Sequence, residues 1–114
     1  MKSIIEVIVY KTKSGKEPYV EWEQGLDKTD RAVIQSRLTR IRRGNFGDIS
    51  TIKGGRGVYE IRLDFGPGYR IYFGKIGTEI VLLLVGGIKR SQSRDIEKAN
   101  QYWRDYEESH EKKI

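Results

Sequence analysis

Cysteine is absent from the 114 residues, so the chain can build no disulfide framework, no thiolate nucleophile and no cysteine-based zinc site. The one histidine, His110, stands in a charged C-terminal stretch. That excludes a metal centre built on imidazoles and disfavours a Ser-His-Asp arrangement, so no metal or other cofactor is expected. Long apolar runs are also missing. The stretch Met1–Ile5 is too short for a signal peptide, and no segment approaches a membrane span. The expected compartment is the cytoplasm, with no membrane partner.

Charge is abundant and unbalanced. Lys and Arg total 22 against 16 Asp and Glu, a net charge of +6. A basic balance of this size attracts polyanions through long-range fields, nucleic acid being the commonest, although a soluble basic protein has the same balance. Hydrophobic residues make up 37%, enough for one modest core, so residues 1–114 read as a single domain. A core that thin gains stability from a bound partner.

Residues 4–12 read as a strand rich in Ile, Val and Tyr. Pro18 opens a short helix that ends near Gly25, and a second helix spans about 30–43, with Val33, Ile34, Leu38 and Ile41 on one stripe. Arg31, Arg37, Arg40, Arg42 and Arg43 occupy much of its remainder. A glycine-rich connection covers 44–57. Residues 58–65 then alternate, with Tyr59, Ile61, Leu63 and Phe65 on one face and Glu60, Arg62 and Asp64 on the other. After the turn Gly66-Pro67-Gly68, residues 69–75 place Tyr69, Ile71 and Phe73 on one face and Arg70 and Tyr72 on the other. A continuous apolar run over 80–85 marks a strand covered on both sides, ended by Gly86-Gly87. Ser91 or Ser93 caps a last helix with Ile96, Ala99, Trp103 and Tyr106 on one stripe, and the tail 107–114 frays. The expected fold is α+β: an N-terminal strand, a helical hairpin, a three-strand antiparallel meander and a C-terminal helix.

The alternation puts Glu60, Arg62, Arg70 and Tyr72 on one face of two adjacent strands. Directly opposed side chains lie about 5 Å apart, so Arg62 and Arg70 can reach one phosphate, for which forked, permanently charged guanidinium groups are suited. An ordinary solvated face with a Glu60–Arg62 ion pair fits the same pattern. Arg40, Arg42 and Arg43 end the second helix, where the helix dipole favours cations; as a function they offer a second contact with RNA phosphates. Lys89 and Arg90 follow the last strand, placed to neutralise a phosphate or to protonate a leaving group. Gly54-Gly55-Arg56-Gly57 has a GxxG form, but it precedes a strand instead of joining two helices, so turn formation explains these glycines better.

Three stretches together resemble one family: Arg43-Gly44-Asn45-Phe46-Gly47-Asp48; Gly57-Val58-Tyr59-Glu60-Ile61-Arg62-Leu63 running on to Gly66-Pro67-Gly68-Tyr69-Arg70-Ile71-Tyr72-Phe73; and Leu82-Leu83-Leu84 through Gly86-Gly87-Ile88-Lys89, with Gln92 and Asp95-Ile96. They are similar to the RelE/ParE toxins of type II toxin–antitoxin systems, in the HigB-like "addiction module killer protein" branch. The resemblance covers roughly 22–103. It implies a RelE/ParE-like fold and a metal-independent, ribosome-dependent endoribonuclease (an mRNA interferase) in which the RNA 2′-hydroxyl attacks the neighbouring phosphate. It implies as partners mRNA, the ribosome and a cognate antitoxin, a helix-turn-helix protein from an adjacent gene.

By the same resemblance Arg70 matches the phosphate-stabilising arginine, Arg62 a basic position on the preceding strand, and Lys89 or Arg90 the basic position after the last strand. Two departures bear on the acid and base. Glu60 stands where RelE has a lysine and is a base or a group that orients Arg62. Ile96 stands where RelE has a tyrosine, and the histidine acid of some relatives is missing, which leaves Tyr72 as a candidate. Two other functions fit this fold: a ParE-like inhibitor of DNA gyrase that cleaves nothing, and a non-catalytic binding module.

Overall fold

The computed structural model describes residues 4–111 apart from 53, 55 and 56. Residues 55 and 56 of the GxxG stretch, the N-terminal 1–3 and the last three residues of the tail therefore lie outside the described residues.

The apolar run near the N-terminus forms strand β1 over Glu6–Val9. Helix α1 follows at Pro18–Gln24, its proline at the start, where the missing N–H would have no partner in any case. Helix α2 covers Lys28–Arg42. Four strands come next: β2 at Ile49–Thr51, β3 at Val58–Leu63, β4 at Tyr69–Ile76 and β5 at Ile80–Ile88. A single 3-10 turn at Lys89–Ser91 leads into helix α3, Gln92–Glu111. The protein is α+β, as its sequence predicts, with one five-stranded mixed sheet in the order β1-β5-β4-β3-β2.

Strands β3, β4 and β5 form the expected antiparallel meander. Four features differ from the sequence reading. First, β2 adds a strand inside the segment read as a connection; it pairs antiparallel with the edge of β3, Ser50 opposite Glu60. Second, β1 pairs parallel with β5, Glu6 opposite Ile80 through Val9 opposite Leu83. Third, β5 does not stop at Gly86-Gly87. A Cβ at Gly86 would overlap the Trp22 ring, and one at Gly87 would overlap the Asp95 carboxylate, so these glycines let α1 and α3 approach the sheet. Fourth, α3 runs on to Glu111 through most of the stretch expected to fray.

The two sheet faces carry separate cores. One buries Ile34, Leu38 and Ile41 of α2 and Tyr19 of α1 against Ile61, Leu63, Tyr69, Ile71 and Phe73. The other buries Ala99 and Trp103 of α3 against Val58, Tyr72, Leu82, Leu84 and Val85. The sheet thus lies between a two-helix layer and α3, and period-2 alternation decides which layer each strand residue meets. A register shift between Tyr72 and Phe73 turns both Leu84 and Val85 toward the α3 side.

Arg37, grouped by sequence with the exposed arginines of α2, is buried. Its guanidinium donates to the carbonyls of Phe46 (3.2 Å from Nε and 3.0 Å from Nη2), Asp48 (2.9 Å) and Arg62 (3.1 Å). One cation therefore ties the Gly44–Asp48 segment and the end of β3 to α2, bonding the Phe46 and Arg62 carbonyls and sharing the Asp48 carbonyl with the Arg62 backbone N–H.

Candidate functional site

The β3–β4 register sets the site. Glu60 lies opposite Tyr72, and Arg62 opposite Arg70, all four on the face that α3 covers only in part. The GPG turn fixes this register. Gly68 has φ +77°, and a side chain there would press on Lys89 Cβ at 3.2 Å and approach Arg70 Nη1 at 3.6 Å. The Gly68 carbonyl accepts the Lys89 backbone N–H at 2.7 Å. The turn therefore carries β4 and the Lys89–Ser91 turn side by side, with the Arg70 guanidinium and the Lys89 stem flanking the same glycine.

Arg62 and Arg70 are paired in register but differ in surroundings. Arg62 is exposed, and its Nε donates to Glu60 Oε1 at 2.8 Å. This is the one ion pair among the described residues. Arg70 is only 8% exposed, its Nε is buried without a hydrogen-bond partner, and its Nη1 donates to the Tyr69 carbonyl at 3.1 Å. No carboxylate among the described residues pairs with it. A nearly buried guanidinium without a counter-charge is energetically costly. An anion arriving at the turn would relieve that cost.

Glu60 is 1% exposed, and both of its oxygens are engaged: Oε1 by Arg62 and Oε2 by Gln92 Nε2 at 2.6 Å. Burial pushes its carboxyl up, but the hydrogen bonds from Arg62 and Gln92 and the charge of Arg62 outweigh burial and hold it below the usual glutamate value. It is ionised at neutral pH. The Tyr72 side chain is fully buried and its hydroxyl has no hydrogen-bond partner, although it lies near enough to Glu60 for each to affect the other's ionisation. Burial, then the negative charges of Glu60 and Asp95, raise the Tyr72 hydroxyl well above the usual tyrosine range, against a smaller opposing effect of Arg70. A tyrosine so placed gives up its proton reluctantly. This geometry speaks against Tyr72 as the acid.

Lys89 and Arg90 are exposed on the turn before α3. Arg90 lines a shallow cavity of about 390 Å³ with Ile88, Ser91, Ser93 and Arg94. Ser91, expected as a cap, accepts the Ile88 N–H at 3.3 Å and donates to the Asp95 carboxylate. The structure does not bring Arg40, Arg42 and Arg43 to this site. They end α2, which packs on the other face of the sheet, so an RNA touching both groups would have to pass around the sheet.

Three site residues escaped the sequence reading of roles. Gln92 caps Glu60 from above, Asp95 is buried under the turn, and Gly87 makes room for Asp95. Their signal was present in the spacing: Ser91 and Asp95, four apart, share one helix face, and Gly87 marks a close approach to a strand.

No protein-family model matches the chain. An uncharacterized protein of Haemophilus influenzae is 42% identical to it over 69 residues, which cover 60% of this chain and 68% of that protein. Among the described residues no helix is long and apolar enough to cross a membrane.

Proposed function

The chain belongs to the same family as that uncharacterized Haemophilus influenzae protein; from the geometry above and the resemblance of its motifs we propose that it is a metal-independent endoribonuclease. It acts as the toxin of a type II toxin–antitoxin module, with the RelE/ParE-like fold that its motifs resemble. The observation that carries this reading is the Arg62–Arg70 pair, in which one nearly buried guanidinium has no carboxylate partner and lies beside the Lys89 turn.

The chemistry follows from what these groups can do. The ionised Glu60 takes the proton of an RNA 2′-hydroxyl as that oxygen forms a bond to the adjacent phosphorus. Arg70 and Arg62 stabilise the extra negative charge on the phosphorane oxygens. The bond from phosphorus to the 5′-oxygen breaks, and the Lys89 ammonium gives that oxygen a proton. The products are a 2′,3′-cyclic phosphate and a 5′-hydroxyl end. The mRNA is met in the ribosome, in the cytoplasm, and a small antitoxin restrains the toxin by laying an acidic or apolar segment over the basic face.

The near-complete burial of Glu60 favours a second reading, a ParE-like protein that binds DNA gyrase through the same face and cleaves nothing. The discriminating experiment incubates the purified protein with mRNA, with and without ribosomes, and separately with gyrase and supercoiled DNA. New 5′-hydroxyl ends in the ribosome reaction support the nuclease. Inhibited supercoiling with intact RNA supports the second reading, and intact RNA with unaffected gyrase leaves only a binding module.

A further inference from the structure

Glu60 is a carboxylate held from two layers. Arg62, two residues along the same strand, reaches Oε1, a contact that alternation on β3 supplies by itself. The other donor, Gln92, is the first residue of α3 and reaches down 2.6 Å onto Oε2. The charged and polar groups facing this carboxylate are few. Arg62 comes from β3, Tyr72 from β4 and Gln92 from α3; from β2 comes Ser50, the register partner of Glu60, whose hydroxyl is buried without a partner, while Arg70 and Asp95 act on the Tyr72 hydroxyl beside it. Among these, only Arg62 and Gln92 hydrogen-bond to the carboxylate within the described residues. Gln92 also directly follows the Lys89–Ser91 turn, so the bond that occupies Oε2 pins the segment carrying Lys89 against the sheet.

We propose that Gln92 is a positioning residue: it fixes the orientation of the Glu60 carboxylate that accepts the 2′-hydroxyl proton and, through the same bond, holds the Lys89 turn over the site. The inference rests on the reading of Glu60 as base. A glutamine serves here because its amide donates to the ionised carboxylate without adding charge, leaving Glu60 as the local anion. Its side chain must also span from the start of α3 to a buried strand residue. Any donor on the ionised carboxylate alters both stability and the Glu60 midpoint; a positioning residue also moves the acid limb of RNA cleavage, which a purely structural clamp would leave in place.

The test uses the full chain with Gln92→Met, which keeps length and removes the donor, and Gln92→Lys, which places a cation at the same point. The Glu60 carboxyl is titrated by carbon-detected NMR, and RNA cleavage is followed against pH. Loss of the donor is expected to raise the Glu60 midpoint by about one pH unit, and Gln92→Lys to lower it. The acid limb of cleavage is expected to move with each. Midpoints that stay put, or that move the same way in both variants, overturn the inference. NMR midpoints that move in opposite directions while the cleavage limb stays fixed refute Glu60 as base, not the hold of Gln92 upon it. The titration needs no RNA, so it reads the contact even if the protein cleaves nothing. Thermal unfolding checks the fold, and if Gln92→Met fails to fold, Gln92→Asn, an amide one methylene too short to reach, makes the same comparison.

Discussion

Arg62 and Arg70 face each other across the β3–β4 ladder, yet only Arg62 has a carboxylate partner. Two like charges directly opposed on paired strands repel. Glu60 relieves that repulsion from one side only, leaving Arg70 as a buried cation whose counter-charge is not among the described residues. Fold stability alone gives no reason for such an arrangement, since apolar replacement of a buried charge is often neutral or stabilising.

Tyr72 provides a contrast. Its hydroxyl is buried beside the Glu60 carboxylate without a well-aligned hydrogen bond to it, so it adds little to stability. Tyr72→Phe is therefore expected to leave stability within about 1 kcal/mol of the parent and to leave cleavage unchanged. Urea unfolding and an RNA cleavage assay check both halves. Loss of cleavage with intact folding would restore Tyr72 as the proton donor.

The Glu60 carboxyl has a consequence for acid stability. Its folded-state value lies below the ordinary one, because the bonds from Arg62 and Gln92 outweigh burial. Its contribution is therefore complete above the ordinary glutamate value of about 4.3 and is lost as pH falls through the lower folded-state value. Glu60→Gln is expected to be less stable than the parent at neutral pH, with the gap closing below about pH 4. Unfolding curves at neutral and acid pH measure that gap, and a gap independent of pH would contradict the account.

Arg37 is expected to matter for folding instead of chemistry. Arg37→Met removes the donors to three backbone carbonyls, which should cost about 3 kcal/mol. It should also raise amide exchange in the Gly44–Asp48 segment before any other region. Uniform exchange, or a stability change under about 0.5 kcal/mol, would show that the carbonyls find other donors.

The contrast between Arg37 and Arg70 shows what was legible in the sequence. The β3–β4 hairpin and its polar face were readable because strict alternation and a Gly-Pro-Gly turn are local signals; alternation put Arg62 and Arg70 on one face, and the register adds that they are directly opposite. Arg37 looked like its neighbours because a helical pattern registers charge and not the carbonyls that a distant loop brings to it. Strand β2 escaped because three residues between glycines carry no period of their own; only pairing with β3 makes them a strand. Gly86 and Gly87 read as a strand end because a strand pattern does not register the side chains that fill their places, Trp22 of α1 and Asp95 of α3. The separation of Arg40, Arg42 and Arg43 from the site is likewise a property of layer order, which composition does not encode.

If Arg70 is kept unpaired for a phosphate, Arg70→Met removes the group on which cleavage depends. Cleavage by the parent and the variant is measured in the same ribosome-containing reaction, with unfolding curves recorded in parallel. Cleavage is expected to fall roughly 10²- to 10³-fold, with stability equal to or above the parent. Undiminished cleavage by a folded Arg70→Met protein would contradict that role for Arg70.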